Sequence, residues 1–136
     1  MGTFRYLDHT ADLCFEIIGN TLEDLFVTTG NAIFSHQIKG ELVHKKSYSL
    51  DLSSDSLEDL LIDWCRELLY LFSVHGFIPF TYNMTIKDIH IQAHIDGDIL
   101  DNERHEIKSE IKNATYHYLM VKKQLNGYHA TIVFDV

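Results

Sequence analysis

Hydrophobic positions along the chain follow two rhythms, one of period two and one close to 3.6, and the places where the rhythm changes mark the elements. Residues 12–18 alternate apolar with other side chains, are rich in Phe and Ile, and run into Gly19-Asn20, which predicts a strand ending in a turn. A helix should follow at once. Thr21 with Asp24 three positions on has the form of a capping box with a shorter acid, and Leu22, Leu25, Phe26, Ala32 and Ile33 then fall on one stripe. Gly40 is expected to end this helix.

A strand is predicted over residues 46–52. Asp55 and Glu58 read as a second cap in front of Leu57, Leu60, Leu61, Trp64, Cys65, Leu68 and Phe72, the strongest helical stripe in the chain. Ile62, Leu69 and Leu71 widen its apolar face, so this helix should be covered on more than one side. Beyond Gly76, residues 85–95, 116–122 and 128–136 carry strand-like patterns, punctuated by Asp96-Gly97 and Asn126-Gly127 as hairpin turns. Strands flank both helices early and cluster late. The expectation is an α+β fold, one domain over residues 1–136, with a largely antiparallel or mixed sheet packed with two main helices.

Composition narrows the function. A chain of 136 residues with 46% hydrophobic content can close one core without staples. Twenty Asp and Glu against eleven Lys and Arg give a formal charge of -9, so the average surface repels a phosphate backbone and direct, stable nucleic-acid binding is not expected. Cys14 and Cys65 are far apart, lie in apolar segments and form no CxxC pair, which fits a reduced cytoplasmic setting. The first residues lack an apolar run behind a basic start, and the longest apolar stretch is broken by Asp63, Arg66 and Glu67, so neither a signal peptide nor a membrane span is expected.

Three polar groups could carry chemistry. Asp8-His9-Thr10-Ala11-Asp12 puts two carboxylates and an imidazole within five residues at the entry to a strand. Carboxylate oxygens suit calcium, magnesium or manganese, but such ions need oxygens from more than one segment, and turn chemistry favours the same residue types. At the other end, Ile132-Val133-Phe134 runs into Asp135 and Val136. A strand reaching that point would offer the Asp135 side chain, backbone carbonyls and a terminal carboxylate together, unless it is a frayed, solvated end. In the third group Lys112, within residues 110–117, is either a mobile point charge for a phosphate or carboxylate, or an edge-strand lysine that deters pairing. His90 and His94 share one strand face, yet Ile89, Ile91, Ala93 and Ile95 occupy the other, which marks the histidines as the solvated side. His36, His44, His75 and His129 have no companion at ligand spacing. No phosphate-cradling glycine motif, GxSxG elbow or HExxH is present, which counts against an enzyme.

Taken together, Asp8 to Asp12 near the start, Lys112 to His117 late and Phe134-Asp135-Val136 as the end resemble the archease family, and the similarity extends over both helices. Leu13-Cys14, Asn113-Ala114 and Tyr128 depart from the family's usual residues without removing a proposed ligand. The resemblance implies an accessory protein, without catalytic residues of its own, that promotes guanylylation and turnover of an RtcB-type RNA ligase in tRNA splicing or RNA repair. It further implies a divalent metal, with calcium as the family's ion, at Asp12, Asp135 and Val136, a functionally important Lys112, and supporting places for Asp8 and His9. A stand-alone metal-dependent phosphoester hydrolase with His9 as base, and a chaperone-like module with an apolar groove, are the competing readings.

Overall fold

The computed structural model describes residues 2–7 and 12–136; Asp8 and His9 lie outside the described residues. Strands β1 (Thr3–Leu7) and β2 (Leu13–Gly19) precede helix α1 (Leu22–Gln37) and the short strand β3 (Ile38–Lys39). Strand β4 (Lys46–Ser53) leads into helix α2 (Leu57–His75), followed by β5 (Phe77–Lys87), β6 (His90–Ile99), β7 (Glu106–Ile107), β8 (Asn113–Gln124) and β9 (Gly127–Asp135). They form a four-stranded sheet in the order β1-β2-β9-β8, a three-stranded sheet β4-β6-β5 and the pair β3-β7. Every pairing is antiparallel. The α+β expectation holds, and the sheets are antiparallel rather than mixed.

Both helices start where a side chain takes over an unpaired backbone donor. Asp24 N–H donates to Thr21 Oγ1 at 3.0 Å, as the sequence pattern implied. At α2 the cap is Ser56, whose Oγ accepts Asp59 N–H at 3.1 Å, so the reading of Asp55 and Glu58 as the capping pair is corrected by one position. Gly76 closes α2 in the left-handed conformation, φ 67°, where its amide returns to the carbonyls of Leu71 and Phe72. The first helix stops earlier than expected. Ile38 is already extended and begins β3, and Gly40 lies beyond that strand instead of capping the helix.

Helix α1 packs on β2 and β5, while α2 packs on β8, β5 and β4, so the helices bridge the two larger sheets. This explains the wide apolar face of α2: Ile62, Leu69 and Leu71 are buried alongside the main stripe. Trp64 is fully buried, and its indole N–H donates to the Phe26 carbonyl of α1 at 2.9 Å, which satisfies the one polar atom of the largest core side chain. Residues 85–95, read as one strand, are in fact a hairpin that turns at Asp88 and Ile89, both with positive φ. Asp96-Gly97, read as a turn, lies inside β6, and strand β1 was not anticipated. Among the described residues no helix is long and apolar enough to cross a membrane.

One charged cluster is buried beside the sheet. Asp98, with no exposed surface, accepts from both terminal nitrogens of Arg104 at 2.8 and 3.0 Å, from Val43 N–H at 3.0 Å and from its neighbour Ile99 N–H at 2.8 Å. His105 joins it: Nδ1 accepts Asp101 N–H at 3.0 Å, which leaves the ring proton on Nε2, 3.0 Å from the Glu41 carbonyl. Nε2 is also 3.2 Å from Asp98 Oδ2. The Arg104 guanidinium, aided by the two backbone donors, holds the Asp98 carboxyl well below the usual carboxylate range.

Removing Asp98 would leave Arg104 with Asp101 alone and take the acceptor from two part-buried amides, so Asp98→Ala should lower folding stability by about 2 kcal/mol in denaturant titration. Because the folded-state value is depressed, the Asp98 contribution is complete above the unfolded value, roughly pH 4, and is lost as pH falls toward the folded value. Asp98→Asn should therefore flatten stability against pH in the acid range, and an unchanged acid slope would show that other carboxylates set it.

Candidate functional site

The pairing of β2 with β9 places Leu13 opposite Phe134, the last matched pair before both strands end. Asp12 immediately precedes that pair on one strand, and Asp135 and Val136 immediately follow it on the other. On the far side of β9, Asn113 is paired with Asp135, and the N–H of Lys112 donates to the Asp135 carbonyl at 2.8 Å. Antiparallel strands thus bring residues 12, 112 and 135–136, remote in sequence, to one end of the four-stranded sheet. Of the residues singled out in the sequence, Asp12, Lys112, Asp135 and Val136 meet there; Asp8 and His9 lie outside the described residues.

Asp12 and Val136 line a common pocket of about 280 Å³, together with Tyr6, Leu13 and His36. Two of its lining rings, Tyr6 and His36, belong to an aromatic cluster around Phe15. Phe15 is edge-on to Phe4, Tyr6, His36 and Phe134, with centroid separations of 5.7, 6.4, 6.3 and 6.1 Å. His36 reaches this place from the last turn of α1. Burial first, and the Lys108 charge second, push its imidazole below the ordinary value, so it presents an unprotonated ring at neutral pH. Neither His36 nor Tyr6 was identifiable from sequence: His36 has no ligand-spaced companion in the chain, and Tyr6 lies on the strand that was not anticipated.

The donor chemistry is oxygen-rich, with Asp12 and Asp135 as carboxylates, and is compatible with a hard cation. Among the described residues, however, no group of three His, Cys, Asp or Glu is assembled that could hold a metal ion. Any full shell would have to draw on further oxygens, such as those of Val136. His90 and His94 lie on β6, in the other large sheet. Ile91, Ala93 and Ile95 are buried while His90 and His94 face outward, as expected. There His90 meets Asp51 at 2.5 Å, and His94 meets Ser49 at 3.2 Å and Asp96 at 3.2 Å.

The profile of the archease protein family (MTH1598/TM1083) matches residues 4–136. Protein archease of Methanosarcina acetivorans is 34% identical over 141 aligned residues, which cover 98% of this chain and 95% of that protein. The solution structure of Methanobacterium thermoautotrophicum Protein 1598 superposes with a TM-score of 0.82 at 25% identity, covering 98% of each chain. The crystal structure of an archease, possible chaperone, from Thermotoga maritima shares the fold, with a TM-score of 0.71 at 22% identity over 96% of this chain and 94% of that one.

The electrostatics of the pocket can be read directly by NMR titration of His36. Its midpoint should lie below the ordinary imidazole value of about 6.5. Lys108→Gln should raise that midpoint only partway, since burial is the larger cause. As the unfolded chain takes up this proton more readily, His36 makes the fold lose stability as pH falls through the unfolded value. A midpoint at or above the ordinary value would show that His36 is solvated and does not line the pocket as described.

Proposed function

The chain belongs to the archease family, and from that premise we propose that it is a metal-binding accessory protein of the cytoplasm that activates an RtcB-type RNA ligase, promoting guanylylation and repeated turnover in tRNA splicing or RNA repair. The observation that carries the reading is the convergence of Asp12, Lys112, Asp135 and Val136 at one end of the sheet. Asp12, Asp135 and an oxygen of Val136 would hold the ion, with Asp8 and His9 in support. Calcium is the first candidate, and magnesium or manganese the alternatives, because all three favour oxygen ligands. When bound, the ion would supply a fixed positive charge for a phosphate or carboxylate oxygen.

In this reading Lys112 is the mobile cation beside the fixed one. Its side chain is exposed, while its backbone is bonded to Asp135, so it can reach a phosphate or carboxylate on the partner without leaving the site. The ligase supplies the chemistry. The formal charge of -9 favours docking on a basic RNA-binding protein and disfavours a direct grip on RNA.

One observation favours a second reading. An unprotonated His36 shares a pocket with Asp12, which is the pairing a metal-dependent phosphoester hydrolase would need, with His36 in the place first given to His9 as base. A chaperone-like role, named for the Thermotoga protein, is the third.

A multiple-turnover ligation assay with the cognate ligase separates these readings. The native protein should raise turnover and have no phosphoesterase activity alone. Asp12→Ala should weaken calcium binding by at least about tenfold in calorimetry and lose stimulation, with its circular dichroism unchanged. Lys112→Ala should keep its calcium affinity and lose about tenfold in stimulation, equivalent to roughly 1.4 kcal/mol at the contact. Metal-dependent hydrolysis by the isolated protein that disappears in His36→Ala would establish the hydrolase instead. Suppression of aggregation of unrelated proteins, with no effect on the ligase, would establish the chaperone.

A further inference from the structure

Lys112 is exposed, yet the backbone on both sides of it is held by side chains from the two helices. On one side, Ile111 N–H donates to Gln37 Oε1 at 2.8 Å, and Lys108 N–H donates to the Gln37 carbonyl at 2.7 Å. On the other, Arg66 donates from Nε to Asn113 Oδ1 and from Nη2 to the Ala114 carbonyl, both at 3.2 Å, with its guanidinium 5.7 Å from the Tyr116 ring centre. Between these two grips the Lys112 N–H meets the Asp135 carbonyl at 2.8 Å. Residues 108–112 belong to no helix or strand, so no repeating backbone ladder fixes their peptide planes. The Ile111 side chain is buried and sets the depth of the segment, but a nonpolar contact does not set its rotation.

Gln37 is an expensive residue for the place it occupies. It is the last residue of α1 and has no exposed surface, and its amide Nε2 is buried without a hydrogen-bond partner among the described residues. An orphaned buried donor costs about 1–3 kcal/mol, so a Met of similar length would suit the core better. What Met would lack is the oxygen that receives Ile111 N–H. We infer that Gln37 is a positioning residue of the site: it fixes the peptide entering Lys112, so that the lysine is presented beside Asp135 in one orientation. Gln37 touches neither Asp12 nor any partner in this scheme, and acts only through the 108–112 segment. The inference rests on the functional reading of Lys112 given above.

The test compares Gln37→Met, which removes the acceptor, with Gln37→Glu, which keeps one; burial raises the carboxyl value, so the acid stays protonated and retains a carbonyl oxygen. Lys112→Ala is the reference. In Gln37→Met, amide hydrogen exchange at Ile111 and Lys112 should accelerate, while the core amides of Leu60 and Ile132 exchange as in the native protein. Calcium affinity should be unchanged, and stimulation of the ligase should fall about tenfold, the scale expected when a contacting group is displaced by a fraction of an ångström. Gln37→Glu should restore slow exchange at Ile111 and most of the stimulation. Slow exchange at Ile111 in Gln37→Met would overturn the inference, as would full stimulation by Gln37→Met when Lys112→Ala is defective, with the functional reading intact in either case. Accelerated exchange throughout the core would overturn it in another way, by making Gln37 a general core residue. Full stimulation by Lys112→Ala would remove the functional reading itself, and the inference with it.

Discussion

The register of β2 against β9 is the constraint on which both the core and the site depend. Leu13 and Phe134 face each other at its end, 3% and 0% exposed, and both belong to the hydrophobic core. A slip of one residue in either direction would turn Phe134 and Ile132 out of the core, because side chains alternate between faces along a strand. The same slip would separate Asp12 from Asp135 and Val136. Nonpolar burial thereby sets the relative position of polar groups that have no strong attraction of their own. Two acidic residues at adjacent strand ends repel in the absence of a counter-charge, so their proximity is imposed by the strands rather than chosen by the carboxylates.

The buried cluster at Asp98 shows the opposite arrangement. There the carboxylate is surrounded by an arginine and backbone donors, nearly all of its acceptor capacity is used, and its charge is stabilised in place. At the end of the four-stranded sheet, Asp12 lines an open pocket and Asp135 is exposed, its backbone carbonyl accepting the Lys112 N–H. A buried, saturated carboxylate maintains the fold, whereas accessible carboxylates beside an exposed lysine are free to meet something that arrives from solution. That contrast, within one acidic chain, separates structural charge from charge that is available.

Sequence patterns disclosed the helices because a period near 3.6 and a side-chain cap at Thr21 are local signals. They failed on the β5–β6 hairpin for a reason visible in its backbone. Asp88 and Ile89 turn the chain with φ of 53° and 57°, and positive φ at two successive positions usually calls for Asn or Gly, not a β-branched residue. The glycine that did look like a turn, Gly97, serves another purpose: a Cβ there would lie 2.3 Å from the Ile78 carbonyl oxygen and 2.7 Å from the Phe77 ring. The close approach of β5 beside β6, where the register shifts after Pro79, requires it rather than chain reversal. At the site, Asp12, Lys112, Asp135 and Val136 were legible as a set only through family resemblance, since no short-range spacing links positions spread from residue 12 to residue 136. His36, Tyr6 and Gln37 could not be read at all, because their place depends on how α1 ends against the sheet.

The size of the pocket bears on what could use it. A volume of about 280 Å³ is just below the roughly 300–1,000 Å³ typical of small-molecule sites, and its opening is shared with exposed residues of three strand ends. A whole nucleotide would leave most of its surface outside. An ion, or one protruding group from a larger partner, would fit, and the rest of that partner would then rest on the sheet end around it. Lys112 lies at the same end of the sheet, with its backbone N–H held by the Asp135 carbonyl and its side chain exposed. A lysine held in this way loses little further backbone entropy when a partner docks, so more of the contact energy remains for binding. The ordering was done when the chain folded, by a buried glutamine at the end of a helix and by the carbonyl of Asp135.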